Sequence, residues 1–162
     1  MTPRWWQWRL PGGEVAIVDE ADRGIVESGV WWALHTNSRT NYVYGYLNGR
    51  RREQVLLHRL LLNAPTGQGI DHQNCNGLDN RRSNLRLATQ PQNNANTGPR
   101  STNRSGYKGV FWDKQAKRWR AQIRVNGKRT HLGRFSDPWE AAEAYNRAAL
   151  GQWGEFAWLN EP

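Results

Sequence analysis

Four polar residues in the middle of the chain combine an acid, a histidine and two amides at spacings suited to phosphodiester chemistry. Asp71 and His72 are adjacent, and Asn84 and Asn93 follow them. Hydrolysis of a phosphodiester needs a metal ion, a base for the attacking water and a group that orients the base. These side chains can supply all three. The residue types alone leave open a plain polar loop, because Asp-His pairs and Asn-rich loops are common.

The charge of the chain favours a nucleic acid as the substrate. Lysine and arginine number 23 against 14 acidic residues, which gives a formal net charge of +9 over 162 residues. Such an excess attracts polyanions and releases their counterions on binding, although a merely soluble basic protein shares it. All of the excess lies after residue 50, because the first 50 residues have no net charge, so we expect the polyanion-binding surface in the middle and C-terminal parts.

A single cysteine and the lack of a long apolar run exclude several classes of protein. Cys75 has no partner for an internal disulfide, and a four-cysteine zinc site is impossible, so no structural zinc is expected. No apolar run is long enough to cross a membrane, and no signal peptide is recognisable. We therefore expect an intracellular, cytoplasmic protein that associates with DNA and not with a membrane.

The chain up to residue 97 is predicted to form short strands around one buried helical segment. Strands are indicated at residues 15–18, 31–35 and 42–47. Asn48-Gly49 indicates a tight turn, and the apolar residues 55–62 suit a buried helix, although a strand fits the same run. Residues 69–72 are strand-like, residues 84–89 return as an extended segment, and Thr89 can cap a helix that carries Asn93.

The C-terminal part is predicted to contain a three-stranded sheet followed by a helix. A strand is indicated at 107–112, and residues 118–125 alternate strictly between apolar and polar side chains. Asn126-Gly127 predicts a two-residue hairpin loop. That loop pairs Val125 with Lys128, Arg124 with Arg129, Gln122 with His131 and Ala121 with Leu132. Asp137 and Pro138 indicate the start of a helix that we expect to run to about Leu150 and to stop at Gly151.

One face of this sheet gathers side chains that can read DNA. Arginine can form two hydrogen bonds to guanine and glutamine can read adenine, while small sheets can enter the major groove. The alternative is a charged, solvated face, but neighbouring arginines repel each other when no polyanion is bound. Lys108 and Arg118 are expected on phosphates. The predicted DNA-binding residues are Lys108, Arg118, Arg120, Gln122, Arg124, Arg129 and His131.

Residues 57–94 closely resemble the HNH endonuclease family, in the homing-endonuclease branch of phages and group I introns. The matching pieces are LHRLLL, IDHQNCNGLDN and SNLRLATQPQNN. The resemblance implies the ββα-metal (His-Me finger) architecture, in which two strands and a helix surround one divalent ion. It implies Asp71 and Asn93 as metal ligands, His72 as the general base and Asn84 as the residue that orients His72. Mg²⁺ is the expected ion, and Mn²⁺ is the alternative.

Several neighbours of this motif are assigned no chemistry. We expect His58 to be a packed structural histidine and Asn80 to stabilise a turn. Asp79 is expected to be a solvated loop acid, with an extra metal ligand as the alternative, and Cys75 a bystander.

Residues 105–160 resemble the Apetala/ethylene-response-factor DNA-binding domain. The matching pieces are GYKGV, WRAQIRVNGKRTHLGRF and EAAEAYNRAAL. The resemblance implies three antiparallel strands on one helix, with the sheet in the major groove of DNA. Phe111 and Asp113 stand where the plant proteins have basic contact residues, so their target sequence is not transferred. The contact positions that the resemblance implies are Lys108, Gln122, Arg124, Arg129 and His131.

Together these features predict an α+β protein with a nuclease domain and a sheet-and-helix reader. The expected parts are an extension at 1–50 packed on the nuclease unit, an HNH core at 51–97, a linker at 98–104 and a reader at 105–160. The predicted function is metal-dependent, site-specific cleavage of duplex DNA, by nicking or by double-strand cleavage. We expect a monomer or weak dimer without an obligate protein partner, in the host-cell cytoplasm if a phage encodes it. The alternatives are a non-catalytic DNA-binding regulator and, less favoured, an RNA-binding protein.

Overall fold

The computed structural model describes residues 4–36, 40–48 and 53–162, and the chain divides into two compact units. The first unit is Met1–Thr89 and the second unit is Gln90–Pro162. Within the described ranges the protein is a mixed α/β structure with four small antiparallel sheets. The predicted turn at Asn48-Gly49 and the boundary at residue 50 fall partly or wholly outside those ranges. No helix of the described residues is long and apolar enough to cross a membrane.

The first unit is built from short elements that follow the predicted order. Its strands are β1 (Trp5–Arg9), β2 (Val15–Asp19), β3 (Gly29–Leu34), β4 (Tyr42–Leu47), β5 (Val55–Leu56), β6 (Gly69–His72) and β7 (Leu85–Ala88). Its helices are α1 (Arg23–Glu27) and α2 (Leu57–Leu61), with 3-10 turns at Glu20–Asp22 and Arg82–Asn84. The predicted helix at 55–62 is shorter than expected, because its first two residues pair with β4 as a strand.

The hydrophobic core of the first unit joins α2 to the strand pair β6–β7. Leu57 and Leu61 on α2 are buried in one cluster with Ile70 of β6, Leu85 of β7 and Val18 of β2. Burying each such side chain contributes roughly 1.5–3 kcal/mol. A short helix and two short strands are thereby fixed against each other by side chains that come from distant parts of the chain.

The N-terminal hairpin β1–β2 is hydrogen-bonded to the segment that precedes β7. The Ile17 amide donates to the Leu78 carbonyl at 2.9 Å, and the Asn80 amide donates to the Ile17 carbonyl at 2.7 Å. The Arg82 guanidinium donates to both oxygens of the buried Asp22 carboxylate at 2.9 and 2.8 Å. Residues near the N-terminus therefore help to shape the loop between β6 and β7.

The second unit consists of a short helix followed by a three-stranded sheet and a long helix. Its elements are α3 (Gln90–Ala95), β8 (Val110–Asp113), β9 (Arg118–Val125), β10 (Lys128–Phe135) and α4 (Pro138–Trp153). The strand order is β10-β9-β8, all antiparallel. Small side chains let α4 lie close to the sheet: Ala141 and Ala142 cluster with Val110 and Ala121.

The β9–β10 hairpin confirms most of its predicted register. Asn126 and Gly127 have φ angles of 49° and 79°, as the predicted two-residue turn requires. Lys128 pairs with Val125, Arg129 with Arg124 and His131 with Gln122. The predicted pairing of Ala121 with Leu132 is wrong, because a bulge follows His131 and Ala121 pairs with Gly133.

Two predicted boundaries in the second unit are also wrong. The first strand of the sheet begins at Val110 and not at residue 107, because the preceding backbone turns at Gly109, whose φ is 78°. Helix α4 passes Gly151 and ends at Trp153, where Gly154 takes a φ of 54°. A glycine inside a helix costs only about 1 kcal/mol, so it need not end one. The predicted cap is confirmed, since Asp137 accepts hydrogen bonds from two amides of the first turn.

Replacing Gly109 by alanine should destabilise the second unit far more than replacing Gly106. Both glycines have a positive φ, 78° and 76°, so each alanine adds a backbone strain of about 1 kcal/mol. A Cβ at Gly109 would also collide with the Tyr145 ring, whereas at Gly106 nothing lies within 4 Å. We expect urea unfolding to show a further loss of about 1–3 kcal/mol for Gly109→Ala. Equal losses in the two variants would contradict this packing.

Candidate functional site

Strands β6 and β7 place Asp71 and His72 side by side in the interior of the first unit. Asp71 is 5% exposed and His72 is 4% exposed. In the strand register, Asp71 lies opposite Arg86 and His72 lies opposite Leu85. Successive side chains of a strand point to opposite faces, so each of the two is held by a different set of neighbours.

The Asp71 carboxylate is paired with Arg86. The Arg86 Nε and Nη2 atoms both lie near Asp71 Oδ2, at 2.8 and 2.7 Å, and the Arg86 side chain is only 11% exposed. A buried ion pair of this kind is expensive to break, because the remaining charge has no partner. Arg86 was not among the predicted site residues. Both segments were predicted to be extended, but the register that places Arg86 across from Asp71 comes only from the folded structure.

The rings of His58 and Tyr42 pack against His72. The His58 ring stands edge-on to the His72 ring, with centroids 5.1 Å apart and an interplanar angle of 86°. The Tyr42 ring lies 5.7 Å from His72 and 5.4 Å from His58. His58 is buried, and its Nδ1 makes no hydrogen bond to the residues that the structure describes. His58 is therefore a packed histidine, and its contact with His72 limits the rotation of that ring.

Burial sets the protonation of both histidines. Burial, together with the neighbouring His72 and Arg59, lowers the pKa of His58 to about 3. Burial also lowers the pKa of His72, although the side chain of Asn80 and the charges of Asp71 and Asp79 act against it. His72 is therefore neutral near physiological pH, and a neutral imidazole can accept a proton.

Asn84 joins the two ends of the loop between β6 and β7. Its Oδ1 accepts from the Asn74 amide at 3.0 Å, and its Nδ2 donates to the Asp79 carbonyl at 2.7 Å. Asn74 follows closely after His72, so its hydrogen bond to Asn84 restrains the backbone next to the histidine. The predicted role of Asn84 in orienting the His72 ring stays a prediction.

The expectation that Asp79 is a solvated loop acid is wrong. Asp79 is 2% exposed, and its carboxylate accepts from Arg81 at 2.8 and 2.6 Å and from the Asn74 amide group at 2.9 Å. Burial would raise the pKa of Asp79, but the hydrogen bonds and charge of Arg81 and the bond from Asn74 outweigh it and lower the pKa. The loop has few apolar side chains. The buried Asp79 carboxylate therefore holds it together by accepting hydrogen bonds, in place of a hydrophobic core. Asn80 is fully buried beside it and donates to the Gly77 carbonyl, which is the turn contact expected of it.

Asn93, the other predicted metal ligand, lies on α3 in the second unit. Asp71 and His72 lie in the first unit, so their joint site with Asn93 stays a prediction. Among the described residues, no group of three or more His, Cys, Asp or Glu side chains could hold a metal. The donors that the prediction names are a carboxylate and an amide oxygen. These hard donors fit Mg²⁺, which keeps several water ligands and needs few from the protein.

The sheet of the second unit displays a basic face. Arg120, Gln122 and Arg124 on β9 lie beside Arg134, His131 and Arg129 on β10, respectively. Arg118, Arg124, Arg129 and His131 are exposed, whereas Arg120 and Gln122 are half-buried. Arg134 is paired with Asp113 at 3.0 Å. The structure thus brings together the predicted residues of β9 and β10, while Lys108 precedes the first strand.

The basic face lines an open groove of about 1450 Å³ within the second unit. The groove is also lined by three basic residues that were not predicted as contacts, namely Arg100, Arg104 and Lys114, and by the aromatic side chains of Phe111 and Trp112. Phe111 and Trp112 are 40% and 48% exposed. A basic surface with exposed rings suits a nucleic acid better than a merely solvated face does.

Comparison with known proteins identifies both parts of the chain. Residues 105–155 match the AP2 domain family. The chain is 28% identical over 142 residues to an uncharacterized HNH endonuclease of Acanthamoeba polyphaga mimivirus, covering 86% of this chain and 72% of the relative. It is 40% identical over 62 residues to the AP2-like ethylene-responsive transcription factor TOE2 of Arabidopsis thaliana, covering 38% of this chain and 13% of that protein. The chain thus joins an HNH-type segment to an AP2 domain.

A phage relative shows the family to which the chain belongs. Protein 3.8 of Escherichia phage T7 is 36% identical over 93 residues, which cover 57% of this chain and 76% of the phage protein. The chain belongs to the same family as Protein 3.8. No solved structure matches the chain.

The free energy of unfolding of the first unit should fall as the pH is lowered below 6.5. The unfolded chain binds a proton on His58 near pH 6.5, whereas the folded protein does not bind one until about pH 3. Acid therefore favours the unfolded chain, by up to about 1.4 kcal/mol per pH unit in that window. Urea unfolding should show a shallower pH dependence for His58→Phe. The exposed histidine variant His35→Gln serves as the control, and a His58→Phe slope equal to that of the control would count against a neutral, buried His58.

Proposed function

We propose that this protein is a metal-dependent endonuclease that cleaves duplex DNA at sites chosen by its AP2 domain. The observation that carries the proposal is the buried, neutral His72 next to Asp71, on a strand pair within the HNH-type segment. β6, β7 and α3 follow one another in the order of the ββα-metal architecture that the family resemblance implies. The basic sheet in the same chain supplies a reason for the substrate to be DNA.

His72 is the proposed general base. Its imidazole is neutral, so it can accept a proton from water as the water attacks phosphorus. His58 and Tyr42 hold the plane of the ring, which keeps its lone pair in a fixed direction. The bond from phosphorus to the 3′ oxygen then breaks, which leaves a 5′-phosphate and a 3′-hydroxyl end, as the family resemblance implies. Asn84 fixes the loop that follows His72 and so limits its movement.

Asp71 and Asn93 are the proposed ligands of a divalent cation, Mg²⁺ or Mn²⁺. When bound, such an ion offsets the charge of the phosphate and of the leaving oxygen. The oxygen donors of these two side chains support this choice of ion. Arg86 holds the Asp71 carboxylate in place through one of its oxygens.

The AP2 domain is the proposed reader of the DNA sequence. Its exposed arginines and His131 form the positive face of the sheet, and Gln122 stands among them. At the end of β8, Asp113 pairs with Arg134 and removes positive charge from that corner of the sheet. The hydrogen bond from the Ala116 amide and the charge of Arg134 hold the pKa of Asp113 below its ordinary value. We therefore expect a target sequence that differs from those of the plant proteins.

Replacing His72 by alanine should abolish cleavage without weakening DNA binding. With supercoiled plasmid and Mg²⁺ or Mn²⁺, the unmodified protein should give nicked or linear product. The His72→Ala variant should be slower by roughly 10²–10⁴-fold, because the base is lost. Affinity for duplex DNA, measured by fluorescence anisotropy, should stay the same. His35→Ala, which removes an exposed histidine of the same unit, is the control for the substitution itself.

Two results of that experiment would count against the proposal. Normal cleavage by His72→Ala would show that another group is the base. An unmodified protein that binds duplex DNA but yields no product with any divalent metal or sequence library would favour the non-catalytic regulator. Circular dichroism and urea unfolding of each variant separate loss of activity from loss of the fold.

Replacing Arg129 by alanine should weaken DNA binding far more than replacing Arg147. Arg129 lies on the basic face of the sheet, whereas Arg147 is an exposed residue of α4, so both changes remove one positive charge. Loss of a contact to a base weakens binding by about 1–3 kcal/mol. Loss of a contact to a phosphate lowers by about one the slope of log affinity against log salt concentration. Binding titrations at several salt concentrations measure both effects. Equal losses for the two variants would place the DNA elsewhere.

A further inference from the structure

The short helix α3 is fastened to the AP2 domain at its C-terminal end. The Lys108 ammonium donates to the Ala95 carbonyl at 2.6 Å and to the Asn94 carbonyl at 3.2 Å. The Trp158 amide donates to the same Ala95 carbonyl at 3.0 Å. The last carbonyls of a helix have no partners within the helix, and a cation placed there also opposes the helix dipole. Lys108 and Trp158 thus supply hydrogen-bond donors to the carbonyls at the C-terminal end of α3, and Lys108 also supplies a positive charge there.

Lys108 is itself held rigidly by a buried asparagine. Asn160 accepts from the Lys108 amide at 2.7 Å and donates to the Lys108 carbonyl at 3.1 Å. Asn160 is 6% exposed and is bonded in turn to Asn146 on α4. The chain that leaves α3 also packs here, because Gly98 lies against the Trp158 ring. The ammonium of Lys108 therefore extends from a fixed backbone.

Helix α3 needs such anchors because of its length. It has six residues, whereas an isolated helix becomes stable in water only beyond roughly 12–15 residues. Its position is therefore set by its contacts, and at its C-terminal end these come from Lys108 and Trp158 as well as from the following Thr97. Asn93 lies on this helix, directly before Asn94 and Ala95, whose carbonyls bind Lys108.

We propose that Lys108 is a positioning residue of the nuclease, which fixes α3 and hence Asn93 to the AP2 domain. The proposal rests on the proposed function for the role of Asn93, while the fastening of α3 stands on the contacts of the second unit alone. It gives Lys108 a task other than the phosphate contact predicted from the sequence. It also means that the AP2 domain holds the helix that carries one proposed metal ligand, so the domain does more than attach the nuclease segment to DNA.

Amide hydrogen exchange tests the fastening in the full chain without metal or DNA. The readout is the exchange of the Asn94, Ala95 and Asn96 amides, followed by nuclear magnetic resonance, with β9 amides as the internal reference. In Lys108→Met the α3 amides should exchange roughly tenfold faster or more, because the helix loses its charged cap. Lys108→Arg should restore most of the protection. Lys114→Met, which removes a groove-lining charge, should leave α3 unchanged.

Cleavage and binding by the same variants test the consequence for the nuclease. Lys108→Met should lower kcat by roughly tenfold or more and change the Kd for duplex DNA less than twofold. Lys114→Met should weaken binding and keep kcat at saturating DNA. The proposal is overturned if α3 exchange in Lys108→Met equals that of the unmodified protein, or if this variant loses only affinity. If the unmodified protein cuts no DNA, the proposed function fails, and hydrogen exchange alone still decides whether Lys108 holds α3.

Discussion

Residues 73–84, which join β6 to β7, must close over a buried aspartate and histidine with hardly any apolar side chains of their own. They do so through buried hydrogen bonds, above all those of the Asp79 carboxylate and the Asn84 amide. A buried carboxylate without partners costs several kcal/mol, so the loop closes only when its donors are in place. The pairing of β6 with β7 depends on this closure, and so does the position of Asp71 opposite Arg86.

The same loop explains why the first unit needs its N-terminal hairpin. Ile17 lies between Leu78 and Asn80 in a strand-like bridge, and Arg82 binds an aspartate sixty positions earlier in the chain. These contacts hold the loop, while Ile70 and Leu85 of the strand pair belong to the hydrophobic core that includes α2. The rings of Tyr42 and His58 reach His72 from β4 and α2. The surroundings of the candidate base are therefore assembled from most of the first unit, although the motif itself is short.

The sequence predicted the features that depend on neighbouring residues and missed those that depend on distant ones. The Asn126-Gly127 turn and the Asp137 cap are local, and both are confirmed. The start of β8 is set by the approach of Gly109 to the Tyr145 ring, which no local pattern reveals. In the candidate site, the prediction of a strand that carries Asp71 and His72 is confirmed. The burial of Asp79, the partner of Asp71 and the contacts of Lys108 arise only when separate elements pack.

The division of the chain bears on how the proposed nuclease could avoid indiscriminate cleavage. A protein with a net charge of +9 binds any duplex through its phosphates, so affinity alone gives little selectivity. Selectivity improves if the catalytic residues come together only when the AP2 domain is bound to its target site. A wrong sequence then lowers the cleavage rate as well as the affinity. With the C-terminal end of α3 bonded to Lys108, the position of Asn93 depends on the AP2 domain. A misplaced AP2 domain would then misplace the proposed metal ligand Asn93, and displacements of about 1 Å can lower a rate by roughly 10²-fold.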